Sequence, residues 1–307
     1  MQYDLIVIGG SAAGASASIY AARRGLNLLV VAKDLGGEVA TSGDVENWLG
    51  IEHTTGSELA SQFAAHLRKY APNIAEGYIV TKLEQLDSAT WQVTLDDGAT
   101  HTAPAVIVAT GVHSRELGVP GEKEFRLRGV SYCTVCDGPL FGGKKCVTIG
   151  GGNSALESAL MLADIASHVT VVNKNSQFKG EQVLMDNLKS KKNVDIIYDA
   201  KTTDFFGTDG FAKGLHYQDK EGVSHELAFD GAFVHIGNVP NSGFVPENVK
   251  RSAFGEIEVD LACATSAPGV FAAGDVTNIP HKQIIISAGM GSCAALSAVQ
   301  YINRLSL

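Results

Sequence analysis

Short aliphatic runs closed by glycine set the rhythm of this chain. In DLIVIGG (4–10) the run Leu5–Ile8 predicts a strand delivered into a glycine turn, and the Ala-rich stretch up to Gly25 predicts the helix that leaves it. LNLLVV (26–31) predicts a second strand, ending at Ala32 and Lys33. The pattern returns in CVTIGGG (146–152), followed by the helical NSALESALMLAD (153–164). VIVATG (106–111), AFVHIG (232–237) and GVFAAGDV (269–276) are further apolar strands that end in glycine. The last delivers Gly274 and Asp275 toward a helix read over 287–302, which begins with small residues and aims its N-terminal dipole at a ligand. In TGSELASQFAAHLRKY (55–70), Leu59, Phe63 and Leu67 share one helical face behind a Thr55/Glu58 capping box. That helix is read as structural and Phe63 as core.

Two of the strand–turn–helix units are copies. Gly9, Gly10 and Gly14 stand at one constant offset from Gly150, Gly151 and Ala155. A turn without side chains lets backbone approach a pyrophosphate, and the helix that follows presents its positive end to it. One such motif is a weak signal; two, each after a strand, point to two nucleotide-binding units. In the first copy Ser11 replaces the middle glycine, and its N–H still serves a phosphate if its side chain points away. The acid expected about 20 residues on, for the ribose hydroxyls, is replaced by Ala32 and Lys33. The first site must therefore grip its nucleotide elsewhere. Gly111, Gly274 and Asp275 lie at strand ends, where open α/β sheets bind ligands, and Asp275 is read as a hydroxyl acceptor.

Composition narrows the field. The 307 residues are long for one domain and comfortable for two. Hydrophobic residues at 45%, aromatics at 7% and 34 glycines describe an α/β protein with closely packed backbone. A net charge of −9 argues against nucleic acid or an anionic membrane as partner. No apolar run is expected to reach the ~20 residues of a membrane span. MQYDLIVIGG lacks the basic start and cleavage site of a leader, so a cytoplasmic location is expected. Of five cysteines, Cys146, Cys263 and Cys293 lie in apolar or Ala-rich surroundings and read as small buried hydrophobes. Cys133 and Cys136, in SYCTVCDGPLF (131–141), stand apart. One C-x-x-C with no second ligand pair does not make a tetrahedral zinc site, and no metal is expected. The residues themselves leave a structural crosslink and an electron-carrying thiol pair both open.

The order of motifs carries a resemblance. The first glycine turn, GGE (36–38), VENW (45–48), ATG (109–111), C-x-x-C-D (133–137), GGGNSA (150–155), GVFAAGDV and KQIIISAG (282–289) resemble the low-molecular-weight thioredoxin reductases over essentially the whole chain. CDGPLF (136–141) and KKNVDII (191–197) are similar to the reductase part of alkyl hydroperoxide reductase flavoproteins. The resemblance implies an α/β fold of two Rossmann-like dinucleotide-binding domains, of the pyridine nucleotide-disulfide oxidoreductase type. A discontinuous FAD domain would take 1–114 and 244–307. An inserted NAD(P)H domain, 115–243, would carry the C-x-x-C, with hinge chain at 115–123 and 237–245.

The resemblance also implies a site. FAD would be held by Gly9, Ser11, Ala12, Ala13, Gly14, Gly37, Glu38, Asn47, Gly111, Gly274, Asp275, Gln283 and Ile284. A nicotinamide nucleotide would be held by Gly150, Gly152, Asn153, Ser154 and Glu157. Cys133 and Cys136 become a redox-active disulfide, with Cys136 beside the flavin and Cys133 attacking the partner's disulfide. Asp137 is the acid/base for the leaving thiol. A thiol at a helix start has a lowered pKa, which suits thiolate chemistry. The implied activity is thioredoxin-disulfide reduction. Electrons would pass from NAD(P)H through FAD and Cys133–Cys136 to thioredoxin or a thioredoxin-like or glutaredoxin-like protein. Domain rotation and a homodimer are implied as well. Nothing here corresponds to the N-terminal thioredoxin-like domains of the peroxide-reductase flavoproteins, so a separate acceptor protein is expected. A donor other than a pyridine nucleotide, and a ferredoxin–NADP reductase-type flavoenzyme, are the alternatives; the latter has no use for C-x-x-C-D.

The donor rests on one loop. NADPH-using relatives end the second strand of the inserted domain in H-R-R-x-x-x-R, and the NADH-using peroxide-reductase flavoproteins place a Glu first. This chain reads VVNKNSQFK (171–179). Lys174 and Lys179 offer point charges without the bidentate geometry of arginine. Asn173 can bond a ribose hydroxyl and does not repel a phosphate. The expectation is a slight lean to NADPH over NADH.

Overall fold

The computed structural model describes residues 2–42, 44–71 and 73–305, so the outer ends of the expected domain ranges, Met1 and Leu307, lie outside the described residues. The chain forms two compact units, Met1–His113 with Val239–Leu307, and Ser114–Asn238.

The first unit is built on a five-stranded parallel sheet. Its order is Val270–Ala272, Ala105–Val108, Leu5–Ile8, Leu28–Ala32, Asn73–Glu76. Successive side chains of the central strand go to opposite faces. Leu5 and Val7 pack among helical residues such as Ala17, Ala21 and Leu67. Ile6 and Ile8 pack beneath Leu83, Trp91 and Val93 of a three-stranded antiparallel layer, Val80–Asp87, Thr90–Leu95 and Thr100–Ala103. Burial on both faces is what an unbroken aliphatic strand demands. The helix Gly56–Tyr70 starts at the expected capping box, with Thr55 Oγ1 accepting from the Glu58 N–H at 3.2 Å and Glu58 Oε2 from the Thr55 N–H at 3.1 Å. Leu59 and Leu67 are buried, while Phe63 is half-buried and packs at the core margin with its ring 5.2 Å from that of Trp48.

The C-terminal helix departs from expectation twice. It spans Ile284–Leu305 and starts one turn before the small residues, because the Ser287 N–H already closes on Gln283 O at 2.9 Å. It is also, at 22 residues, long and apolar enough to cross a membrane by length and composition alone. In the fold its small residues serve packing. Ser287, Gly291, Ala294, Ala295 and Ala298 are buried, and a Cβ on Gly291 would stand 2.1 Å from Ala13 O on the helix Ala12–Ala22.

The second unit repeats the plan. Its parallel sheet runs Val130–Ser131, Gly231–Val234, Lys145–Ile149, His168–Val172, Val194–Ile197. The helices Asn153–Ile165 and Gln182–Ser190 cover one face. An antiparallel layer of Lys201–Thr208, Phe211–Gln218 and Ser224–Ala228 covers the other. The two glycine motifs thus open two sheets of like design.

The division between units falls after Asn238, five residues before the expected return at 243/244. Asn241 explains the shift, being tied to the first unit: its N–H donates to Gly111 O at 3.0 Å, its Nδ2 to Thr110 O at 2.9 Å, and Thr110 Oγ1 donates to Asn241 O at 2.7 Å. The segment 115–123 is likewise fixed within the second unit. The buried Glu122 carboxylate accepts from the Leu117 and Gly118 N–H groups at 2.8 and 2.7 Å and from Tyr132 Oη at 2.7 Å. Neither Pro/Gly stretch is a free hinge along its whole length.

Gly291→Ala should lower the unfolding free energy by about 1–3 kcal/mol, the usual cost of overpacking, read as an earlier urea midpoint. Gly289→Ala on the same helix, with no atom within 4 Å of the added carbon, should instead leave the midpoint unchanged or raise it, since alanine favours helix.

Candidate functional site

In the first unit the predicted flavin residues gather at the C-terminal ends of the parallel strands. Gly9 has φ +116°, and a Cβ there would stand 2.1 Å from Ala109 O; one on Gly14 would stand 1.9 Å from Gly9 O. These two positions admit only glycine. Ser11 Oγ donates to Gly36 O at 2.6 Å, so its side chain turns toward the neighbouring loop and away from the helix start. The first N–H groups of Ala12–Ala22 have no partner within the helix, which is the usual anion-facing arrangement.

That neighbouring loop is itself braced. The Asp34 carboxylate accepts from the Gly36 N–H at 3.0 Å and the Gly37 N–H at 2.5 Å, with Gly37 at φ +54°. A Cβ on Gly37 would come 3.1 Å from that of Ser11, and one on Gly274 would come 3.0 Å from that of Ala13. Ser11, Ala13, Gly37 and Gly274 are therefore contiguous. Glu38 follows in the short helix Gly37–Ala40, with its side chain exposed. Asn47 Nδ2 donates to Gln283 Oε1 at 3.2 Å, joining two predicted residues from opposite ends of the chain, and Ile284 begins the helix beside them. Gly111 turns the chain at φ +65°. The Asp275 carboxylate accepts from Ser287 Oγ at 2.8 Å. Burial pushes its pKa up, while the Ser287 hydrogen bond and Lys282 oppose the shift. A side-chain-free turn facing a helix start, flanked by a half-buried acid, fits a dinucleotide.

In the second unit the glycine turn is built alike. Gly150, at φ +148°, faces His235 O, 2.1 Å from where a Cβ would stand. Gly152 precedes the helix Asn153–Ile165 in open space, and Ser154 and Glu157 are exposed on its first turns. Asn153 is already engaged, its Nδ2 donating to Glu181 Oε1 at 2.9 Å and its Oδ1 accepting the Glu181 N–H at 2.8 Å. Glu181 brings a carboxylate to this turn from a loop that carries no sequence signal for it. Lys174 and Lys179 are exposed, and the Lys179 N–H donates to Gly151 O at 2.7 Å, which keeps that residue beside the turn. Asn173 differs from the expected ribose ligand. It is only 1% exposed, its Oδ1 accepts the Asn175 N–H at 3.1 Å, and its Nδ2 donates to Gln177 O at 3.0 Å. The amide closes its own loop beneath Gly151.

The cysteine pair belongs to the same unit. Cys133 and Cys136 are joined as a disulfide, with Cα atoms 5.4 Å apart. Cys133 caps the short helix Thr134–Asp137, and the Cys136 N–H donates to Cys133 Sγ at 3.3 Å. Both cysteines are half-buried and Asp137 is 8% exposed. Ser131 Oγ donates to Asp137 Oδ2 at 2.5 Å and accepts the Cys133 N–H at 3.1 Å, so one hydroxyl fixes both the acid and the first cysteine. Sequence reading missed Ser131. Behind the helix, Thr134 Oγ1 lies 2.6 Å from Ser158 Oγ and 2.8 Å from His235 Nε2. Burial pushes the His235 imidazole down to about 4, so the ring is neutral at pH 7. Through His235 the redox helix and the Gly150 turn share one support.

Known proteins resemble this chain over most of its length. The family described as pyridine nucleotide-disulphide oxidoreductase matches residues 3–292. The F subunit of alkyl hydroperoxide reductase from Staphylococcus aureus is 45% identical over 303 residues, 98% of this chain and 59% of the relative. The chain thus spans less than two thirds of that relative's length. The solved thioredoxin reductase of Streptococcus pyogenes is 35% identical, with a TM-score of 0.92 and 99% of each chain covered. That of Giardia duodenalis is 28% identical, with a TM-score of 0.90 and coverage of 98% and 99%.

The neutral His235 has a thermodynamic signature. The unfolded chain takes up a proton near pH 6.5 that the folded chain refuses until about pH 4. The unfolded state therefore binds more protons between these values, and stability falls as pH drops through the window. We expect a loss on the order of 1–3 kcal/mol, measured by urea unfolding from pH 7 to pH 4, with a visibly shallower decline in His235→Gln.

Proposed function

Because this chain belongs to the pyridine nucleotide-disulphide oxidoreductase family, we propose that it is an FAD-dependent disulfide reductase. It passes electrons from NAD(P)H through Cys133–Cys136 to thioredoxin or another thioredoxin-fold protein. The observation that carries this reading is a disulfide at a helix start, in the unit that also holds a nucleotide turn, with a buried acid fixed one residue beyond. Bound at the first turn, the flavin would supply hydride acceptance and electron delivery to sulfur.

The chain's own residues supply the rest. The helix start and the Cys136 N–H stabilise negative charge on Cys133 sulfur, which attacks one sulfur of the partner's disulfide. Asp137, oriented by Ser131, hands a proton to the thiol that leaves. Cys136 then displaces the partner's second thiol and the Cys133–Cys136 bond re-forms. The supports for FAD are the Gly9–Gly14 turn, Gly37, the Asn47/Gln283 pair, Gly111 and Asp275; for the nicotinamide nucleotide they are Gly150, Gly152, Asn153, Ser154 and Glu157. Alternation of two domain arrangements, a homodimer and a cytoplasmic setting belong to the same proposal.

The acceptor has two readings. The thioredoxin reductases among the solved structures support thioredoxin. The identity to the alkyl hydroperoxide reductase relative supports a glutaredoxin-like shuttle that feeds a peroxide-reducing enzyme. For the donor, exposed Lys174 and Lys179 and the absence of a carboxylate at position 173 support NADPH over NADH. Glu181 beside Asn153 keeps that preference small.

A steady-state assay of the FAD-loaded protein against the organism's thioredoxin-fold proteins tests the reading. Turnover with at least one of them is expected, with Cys133→Ser or Cys136→Ser reducing kcat by more than about 10³-fold, as loss of a covalent nucleophile does. Run with NADPH and NADH in turn, kcat/KM should modestly favour NADPH, and Lys174→Ala should narrow the gap. Full activity of Cys133→Ser would remove the role given to it, and a clear NADH preference would reverse the donor assignment.

A further inference from the structure

We propose that Cys263 and Cys293 form a second oxidisable dithiol, in the first unit, which a small hydroperoxide converts to a disulfide. Both are free thiols in the structure. Cys263 Sγ donates to Met290 O at 3.5 Å, and Cys293, three residues further along the same helix, donates to Leu261 O at 3.4 Å. The two bonds cross, so each sulfur reaches backbone close to the other cysteine. This contact joins the C-terminal helix to a turn far from it in sequence.

The turn holds that sulfur in a fixed place. Cys263 has φ +60°, a left-handed conformation uncommon in residues that carry a Cβ. Asp260 fixes it, its Oδ1 accepting the Ala262 and Ala264 N–H groups at 2.9 Å each and its carbonyl the Cys263 N–H at 3.0 Å. The Ala272 N–H donates to Cys263 O at 3.0 Å and anchors the residue to the edge strand of the sheet. Cys263 is 3% exposed, whereas Cys293 is half-buried beside the exposed Leu261. Burial, then the neighbouring Cys293, push the Cys263 thiol up to about 12. The two cysteines therefore have different parts: Cys293 meets the oxidant and Cys263 waits, protonated, behind it.

The chemistry balances with a hydroperoxide. Cys293, having lost its proton to water, attacks one oxygen; the O–O bond breaks, an alcohol or water leaves, and the sulfur becomes a sulfenic acid. Cys263 attacks that sulfur, the S–O bond breaks, and its proton departs with the hydroxyl as water. Two thiols have lost two electrons and two protons, and the peroxide has become alcohol and water. The product crosslinks residue 263 to the C-terminal helix and protects Cys293 from irreversible oxidation. This proposal stands independently of the reductase activity.

The test uses the full chain carrying Cys133→Ser and Cys136→Ser, so that only the remaining thiols report. It is exposed to graded hydrogen peroxide and to cumene hydroperoxide, then denatured, alkylated, digested and mapped by mass spectrometry. A linked Cys263–Cys293 peptide, reversed by dithiol reductant, should account for more than half of the oxidised Cys293, while buried Cys146 stays alkylatable as an internal reference. Adding Cys263→Ser should divert Cys293 to sulfenic and sulfinic acids. Sulfinic acid at Cys293 without a linked peptide in the parent chain would overturn the proposal. So would full alkylation of both thiols after peroxide has oxidised the methionines; this readout on the parent chain decides even if the added variant fails to fold.

Discussion

Both nucleotide turns depend on one steric constraint. The first glycine of each turn lies under the carbonyl of the residue that follows the neighbouring strand: Ala109 for Gly9, His235 for Gly150, each 2.1 Å from where a Cβ would stand. Any side chain there would push the strand ends apart and lift the helix start from the sheet. With the constraint met, the helix starts stand at the level of the strand ends, an arrangement that suits a pyrophosphate. Everything else at the two sites is arranged around that fixed geometry, including the Asp34-braced Gly37 loop and Asp275 in one unit and the Asn153–Glu181 pair in the other.

The second unit uses the same constraint to position its cysteines. His235 presents its carbonyl to Gly150 and its ring to Thr134, inside the C-x-x-C helix. Ser131, at the end of an edge strand, fixes Asp137 and the Cys133 N–H from the other side. The helix has only one turn, Thr134–Asp137, and little stability of its own. These side-chain hydrogen bonds hold it in a form that keeps the Cys133 sulfur at the helix N-terminus.

Much of this was legible in the sequence because it follows from local rules. The paired glycine turns, the aliphatic strands and the Thr55/Glu58 cap each state their geometry within a few residues. The three-stranded antiparallel layers are consecutive hairpins, closing at Asp87/Thr90, Thr94/Thr100, Thr208/Phe211 and Gln218/Ser224; what no local pattern encodes is which face of which parallel sheet each layer covers. The start of the C-terminal helix was obscured because Ile284, Ile285 and Ile286 are β-branched residues that favour strand over helix, yet hydrogen bonding carries the helix back to Ile284. Asn173 looked like a ligand by its position at a strand end; in the fold its amide is consumed by its own loop. Ser131, Glu181 and His235 gave no signal because their roles come from partners brought together only by the sheet. The division after Asn238 was hidden for the same reason, since Asn241 is claimed by Thr110.

The central claim is that electrons from a nicotinamide nucleotide reach Cys133 and Cys136 by way of the flavin. The direct measurement is cysteine alkylation mapped by mass spectrometry, on FAD-loaded protein kept anaerobic, before and after one equivalent of NADPH or NADH. Before addition, both cysteines should resist the alkylating agent; afterwards, both should be labelled while the flavin returns to its oxidised spectrum. A flavin that is bleached and stays bleached, with Cys133 and Cys136 still joined, would contradict the account.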